Sequence, residues 1–282
     1  MMKFGLSLRN TGATSSLETI EAGAETADRL GWNSVWTTDH VLVPASAAAD
    51  YARTFEAIET LAWVGAKHPR LKLGTSVIVV PQRNAVLLAK EFATLDVLSG
   101  GRVTAGVGVG WNEVEFANLG AADRFHRRGA YLDETIRLWR HLWSGSTEPF
   151  QGAFHQFADF VFGPLPMNGA ALPIVVGGGS PAALRRAGTL GDGYQATRAN
   201  PDEMARRIPE VRAAAEAAGR PMPAVSARVS VTTDHAEMLR DARAFEILGV
   251  AELVLVFPET EPPQLVAAIE SFHREVVGAL GA

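Results

Sequence analysis

Pro173-Ile174-Val175-Val176-Gly177-Gly178-Gly179-Ser180-Pro181-Ala182-Ala183-Leu184 is the stretch whose reading decides the fold. Its β-branched apolar start reads as a buried strand. Glycines follow, and Ser180 and Pro181 then supply an N-cap and a proline at N1, the chemistry with which helices begin. A strand, a turn and a helix in so few residues form the joint of an α/β protein. The joint also carries functional information. Unpaired backbone N–H groups at a helix N-terminus attract anions, and glycine lets a ligand approach them. Gly177, Gly178, Gly179 and Ser180 are therefore a candidate phosphate site, with a purely structural turn as the competing reading.

Outward from this joint the pattern repeats. Strand-like runs at residues 3–8, 34–37, 71–80, 102–107, 173–177, 193–196, 224–232 and 253–257 alternate with amphipathic stretches. Leu132, Ile136, Trp139 and Trp143 share one helix face, and Leu88, Phe92, Leu95 and Leu98 another. Capping boxes are read at Ser15 with Glu18, Asn200-Pro201 with Glu203, and Asp234 with Glu237. The alternation predicts an α/β fold, a (β/α)8 TIM barrel. An open doubly wound sheet is the alternative. Its dinucleotide fingerprint is lacking, because Gly106-Val107-Gly108-Val109-Gly110 is followed by Trp111 where the third glycine belongs. No linker divides the chain, which predicts a single domain over 1–282. An insertion at about 144–172 separates the fourth helix from the fifth strand. Phe150, Phe154, Phe157, Phe160 and Phe162 stand among turn residues there. A hairpin is expected, either as a lid over the barrel mouth or as a packed excursion.

Composition narrows the class. The formal charge of -5 and the lack of a dense basic cluster argue against a nucleic-acid partner. The absence of cysteine excludes disulfides, thiolate metal sites and thiol nucleophiles together. No His/Asp/Glu set has metal-ligand spacing, so no metal is expected. No apolar run approaches the ~20 residues of a membrane span. The opening Met-Met-Lys-Phe-Gly-Leu-Ser-Leu reads as a first strand rather than a signal peptide. The expectation is a soluble, cytoplasmic protein with a small-molecule substrate and no nucleic-acid or membrane partner.

Barrel enzymes place their chemistry at the C-terminal ends of strands. Asp39-His40 follow the second strand. His40 suits general acid–base work beside the Asp39 carboxylate, unless the pair merely orders its loop. Asn112-Glu113 follow the fourth strand. Asn112 can donate and accept at once and so hold a ring carbonyl or amide. Glu113 could be a base, a bridge to arginines across a subunit contact, or structural. Thr75 and Ser76 are small hydroxyls near the end of the third strand, and local bonds would satisfy them. Arg198, beside Thr197 after the sixth strand, could complement the glycine turn or simply be solvated. His68, His126, His141, His155, His235 and His273 lack comparable placement.

Together these markers resemble the bacterial luciferase-like monooxygenase superfamily. They are Thr38-Asp39-His40, Leu73-Gly74-Thr75-Ser76-Val77, the run Gly106 to Glu113, Arg128-Gly129 with Asp133-Glu134, and Gly177 to Pro181 ahead of Gly191-Asp192-Gly193-Tyr194. The resemblance spans nearly the whole chain. Within the superfamily it is similar to the deazaflavin branch, whose coenzyme is F420. That resemblance implies hydride transfer between F420 and an organic substrate, with His40 as acid–base and Asp39 beside it facing ring and substrate. It further implies a cis peptide at Ser76-Val77 behind the central ring, Asn112 at the ring, and Gly177–Ser180 with Arg198 at the phosphate end. A homodimer is implied too. Trp111 departs from the sugar-phosphate dehydrogenases, which place a carboxylate near that turn, and this argues against glucose 6-phosphate as substrate. Two other readings stand beside this one. The first is an FMN-dependent monooxygenase, in which reduced flavin and oxygen oxidise the substrate, chemistry that a deazaflavin lacking N5 does not support. The second is a non-catalytic flavin-binding relative. Substrate contacts are expected from the loop at 41–55, where Leu42, Val43, Pro44 and Tyr51 are partly apolar, and from the insertion.

Overall fold

The computed structural model describes residues 2–198 and 200–281. Its strands, in chain order, are β1 (Lys3–Ser7), β2 (Ser34–Thr37), β3 (Lys72–Thr75), β4 (Ile78–Val79), β5 (Val103–Gly108), β6 (Phe150–Gln151), β7 (Gln156–Phe157), β8 (Ile174–Gly177), β9 (Gly193–Thr197), β10 (Ala224–Ser230) and β11 (Glu252–Val256). Parallel pairing runs β1-β2-β3-β5-β8-β9-β10-β11 and returns to β1. The sheet therefore closes into the predicted barrel, with β4 continuing β3 alongside β5. Its outer layer is α1 (Leu17–Arg29), α3 (Ala57–Lys67), α4 (Ala85–Ser99), α6 (Arg128–Trp143), α7 (Pro181–Leu190), α8 (Pro201–Ala217), α9 (His235–Ile247) and α10 (Pro262–Phe272). Two short helices, α2 (Ala48–Tyr51) and α5 (Glu113–Asn118), lie in the loops after β2 and β5 and help to build the mouth. No helix among the described residues is long and apolar enough to cross a membrane.

Local chemistry accounts for most helix starts. Ser180, Asn200 and Asp234 each cap their helix by accepting the N–H three residues on. The first helix differs from its expected start. Ser16, not Ser15, is the N-cap, in a reciprocal box with Thr19. Ser15 is buried and its hydroxyl donates to the Arg53 carbonyl at 2.7 Å, so it is unavailable to the helix. The stripe Leu132, Ile136, Trp139, Trp143 is buried as its spacing predicts. Both indoles donate into α4, Trp139 to the Ala85 carbonyl at 2.8 Å and Trp143 to that of Ala89 at 3.1 Å. On α4 itself Leu88, Phe92 and Leu95 are buried but Leu98 is 78% exposed. At 3.6 residues per turn, successive steps of three carry Leu98 roughly a quarter turn off the stripe, and Ser99 closes it instead.

The third strand does not run through. It breaks at Ser76-Val77, whose peptide bond is cis. The displaced backbone crowds its neighbours. A Cβ at Gly106 would stand 1.6 Å from the Thr75 carbonyl oxygen. At Gly108 and Gly177 it would stand 2.3 and 2.5 Å from the Val77 methyls. Glycine on β5 and β8 is what lets the break fit inside the barrel.

The insertion forms the expected hairpin, β6 against β7. It is fastened to α6, where Glu134 accepts the N–H groups of Ala153, Phe154 and His155 at 2.6, 2.9 and 2.8 Å. Burial alone would raise the Glu134 carboxyl, but these backbone donors outweigh it and hold it below the usual range. Phe157 meets Phe160 edge-on at 4.8 Å, and Lys90 of α4 lies over Phe162 at 4.9 Å.

Replacing Gly106 by Ala should destabilise the barrel by about 1–3 kcal/mol, the usual cost of overpacking. Equilibrium urea unfolding measures it, and an unchanged midpoint would show that β5 can shift away from Thr75.

Candidate active site

Asp39 sits just beyond β2 and is buried. One carboxylate oxygen accepts the Val79 N–H at 2.8 Å, directly after the break in the third strand. Arg83 grips the same carboxylate through Nη2 at 2.6 Å and Nε at 3.2 Å, and its Nη2 also reaches Glu56 at 2.6 Å. Burial would lower the Arg83 guanidinium, but Asp39 and Glu56 outweigh burial and raise it. Three of the Asp39 acceptor positions are thus occupied by β4 and Arg83.

His40 is different. Its Nδ1 lies 3.0 Å from Glu115 Oε2, while Glu115 Oε1 accepts the Val41 N–H at 2.8 Å. Glu115 is almost fully buried on α5. Burial pushes its carboxyl up, yet the His40 ring and the Val41 N–H outweigh that and hold it below the usual range. An ionised carboxylate only accepts, so the His40 Nδ1 carries the proton and Nε2 is left as the acceptor. Tyr51 lies over the imidazole at 4.1 Å between ring centroids, and Trp111 stands 6.2 Å away. Asn112 caps α5 by accepting the Glu115 N–H at 3.2 Å. Its carbonyl oxygen thus gives one lone pair to the helix, and its amide nitrogen is left to serve a ligand. Glu113 is exposed and 3.7 Å from His126, a surface pair outside the site.

At the other side of the mouth, the glycine turn after β8 has the geometry of a cradle. Gly178 has φ of +126°, a region glycine alone enters freely. The Tyr194 hydroxyl donates to the Gly178 carbonyl at 2.9 Å. A Cβ on Gly179 would stand 2.9 Å from the Arg207 guanidinium carbon, so Arg207 of α8 lies against the turn. Its Nη1 is buried with no partner among the described residues. Arg207 is thus a cation close to the glycine turn that the sequence did not point to. Arg198 has φ of +54°, and its backbone N–H bonds the Arg228 carbonyl at 3.1 Å.

Ser76 donates to the Gln195 side chain, whose Nε2 is buried and free among the described residues. Arg228 of β10 reaches Ser7 and Thr38 with Nη2 at 2.9 and 3.1 Å. Sequence reasoning missed Glu115, Arg83, Arg207, Gln195 and Arg228. Two left a signal. Glu115 is the N3 residue of the Asn112 cap, and Arg228 is a charge inside a strand of small and apolar residues.

A barrel of this type, with its break in the third strand, its imidazole–carboxylate pair and its glycine cradle, defines a class of cofactor-binding α/β protein. The luciferase-like monooxygenase family model matches residues 2–271, and the chain belongs to that family. An F420-dependent glucose-6-phosphate dehydrogenase of Mycolicibacterium fortuitum is 37% identical over 169 residues, which cover 57% of this chain and 50% of that relative. The chain thus spans about half the length of the relative. An F420-dependent secondary alcohol dehydrogenase, solved in complex with an F420-acetone adduct, superposes with a TM-score of 0.82 at 18% identity over 99% of both chains. The oxygenating constituent of 3,6-diketocamphane monooxygenase of Pseudomonas putida, solved with FMN, superposes with a TM-score of 0.78 at 15% identity over 98% of both. At these identities the solved structures show a shared fold.

Because the folded Glu115 pKa lies below its unfolded value of about 4.3, its contribution to stability is present above that pH. It is lost as pH falls through the lower folded value. Glu115→Gln should therefore melt below the wild type at pH 7, and the gap should shrink below about pH 4. Melting curves from pH 7 to 3 test this, and a gap independent of pH would remove the ionised pair.

Proposed function

We propose that the protein is an oxidoreductase that uses coenzyme F420 and acts on a small organic substrate at the C-terminal mouth of the barrel. The observation that carries this reading is the His40–Glu115 pair, an oriented imidazole in the loop at the C-terminal end of β2. The F420-dependent names of the Mycolicibacterium relative and of the alcohol dehydrogenase neighbour support it.

The residues fit the coenzyme. The Gly177–Ser180 turn, with the unpartnered Arg207 Nη1 beside it, would hold its phosphate. Ser76, Val77 and the Asn112 amide would border its ring. When bound, the deazaflavin would exchange a hydride with the substrate, and the protein orients the two. His40 Nε2 would take the hydroxyl proton of an alcohol in the oxidative direction and return it to the oxygen in the reductive one. Glu115 keeps the ring in that tautomer and steadies its positive charge. Asp39 is a positioning residue that fixes β4 and, through it, the break. Tyr51 and Trp111 would wall the site from water. Arg198 would add positive potential at the mouth. The reading includes a single-domain, cytoplasmic homodimer.

An FMN monooxygenase is the second reading, supported by the Pseudomonas putida neighbour. The two separate by fluorescence titration with F420 and with FMN. Binding of F420 alone supports the proposal, and binding of FMN alone replaces it. His40→Ala should leave F420 affinity nearly intact and lower turnover by about 10²–10⁴. Unchanged turnover would take His40 out of the mechanism. Gly178→Val and Arg207→Met should each weaken F420 binding by about tenfold or more, the scale of a lost bond to a charged group. Full affinity in both would mean that the phosphate lies elsewhere.

A further inference from the structure

We propose that the substrate of this site carries an oxyanion, held by the guanidinium of Arg228. The proposal rests on the reading of the mouth as a substrate site.

Arg228 lies near the C-terminal end of β10, in register with Thr197 and Val254 on the neighbouring strands. Its Nη2 bonds the Ser7 and Thr38 hydroxyls, and its Nη1 is a long 3.5 Å from the Ser76 carbonyl. All three acceptors are neutral. Its Nε is buried and has no partner among the described residues. The carboxylates nearby are already committed. Asp39 is taken by Arg83 and the Val79 N–H, and Glu115 by His40 and the Val41 N–H. Among the described residues no carboxylate forms an ion pair with Arg228.

Arg228 is half-buried with its Nε shut off from solvent, and withdrawing a cation from water that far without a counter-ion is costly. Tying three strands together through neutral oxygens needs no charge, since an amide would do it at lower desolvation cost. An unpaired fork of donors is what a carboxylate, sulfonate or phosphate ester would complete. Burial pushes the Arg228 pKa down to about 10 and the charge of Arg198 pushes the same way. The group still carries its charge at neutral pH, and an incoming anion relieves both effects. Thr38, whose hydroxyl Arg228 bonds at 3.1 Å, stands two residues before His40 in the loop after β2. An oxyanion on Arg228 would therefore direct the rest of the molecule toward His40.

The test pairs keto acids with their uncharged methyl esters: pyruvate, 4-oxopentanoate and 4-acetylbenzoate. Binding to the full chain is measured by calorimetry at fixed ionic strength, with and without F420. At least one acid should bind about tenfold or more tightly than its ester. Arg228→Met should abolish that preference and Arg228→Lys should keep part of it. Equal binding of acid and ester, binding of neither, or a preference that survives Arg228→Met overturns the proposal. So does a loss of F420 affinity in Arg228→Met with the preference intact, which would assign the cation to the coenzyme. The acid–ester comparison without F420 does not depend on which flavin the protein uses. A failed F420 titration therefore strikes the functional reading and leaves this comparison standing.

Discussion

The close contact between the broken third strand and three glycines is the constraint on which the mouth depends. Gly106, Gly108 and Gly177 leave the space that the Thr75 carbonyl and the Val77 side chain occupy. Thr75 fastens the arrangement by donating its hydroxyl to the Gly106 carbonyl at 2.7 Å. Once the strand is displaced there, its backbone and side-chain groups turn to partners outside the regular ladder. The Val79 N–H finds Asp39, the Ser76 hydroxyl finds Gln195, and the Ser76 carbonyl faces Arg228. The loop after β2, the ninth strand and the tenth each send a side chain to this one irregularity.

Buried charge is handled in three ways around this point, and the differences separate scaffold from chemistry. Asp39 and Arg83 form a close bidentate pair with a further carboxylate at its edge, an arrangement in which each charge has its counter-ion. His40 and Glu115 satisfy one nitrogen of the ring and leave the other free, which is the form a proton carrier takes. Arg228 has only neutral partners. A fully paired charge stabilises, a half-satisfied one can react, and an unpaired one awaits a ligand.

Much of the barrel was legible because its signals are local. Apolar runs, the Ser180-Pro181 and Asn200-Pro201 starts and the Trp139 stripe need only near neighbours to act, and each appears where its pattern predicts. The misreadings have local causes as well. Ser15 was one residue from the true cap and was drawn off by Arg53. Leu98 matched a spacing but not the accumulated helical rotation. Of the two readings of the aromatic insertion, the packed one has a visible anchor: Glu134 of α6 fastens the hairpin tip through three backbone N–H groups.

The sequence by itself determined the alternation of strands and helices, the glycine turn before α7 and the presence of Asp39-His40 at a strand end. Only the tertiary structure decided what those residues do. Asp39 meets Arg83 across 44 positions, His40 meets Glu115 across 75, and Arg228 meets Ser7 across 221. Arg207 of α8 comes to lie against the glycine turn after β8 for the same reason. Period and capping are properties of a few adjacent residues, whereas the pairing of charges depends on which strand ends the closed barrel brings together. No local pattern encodes that closure.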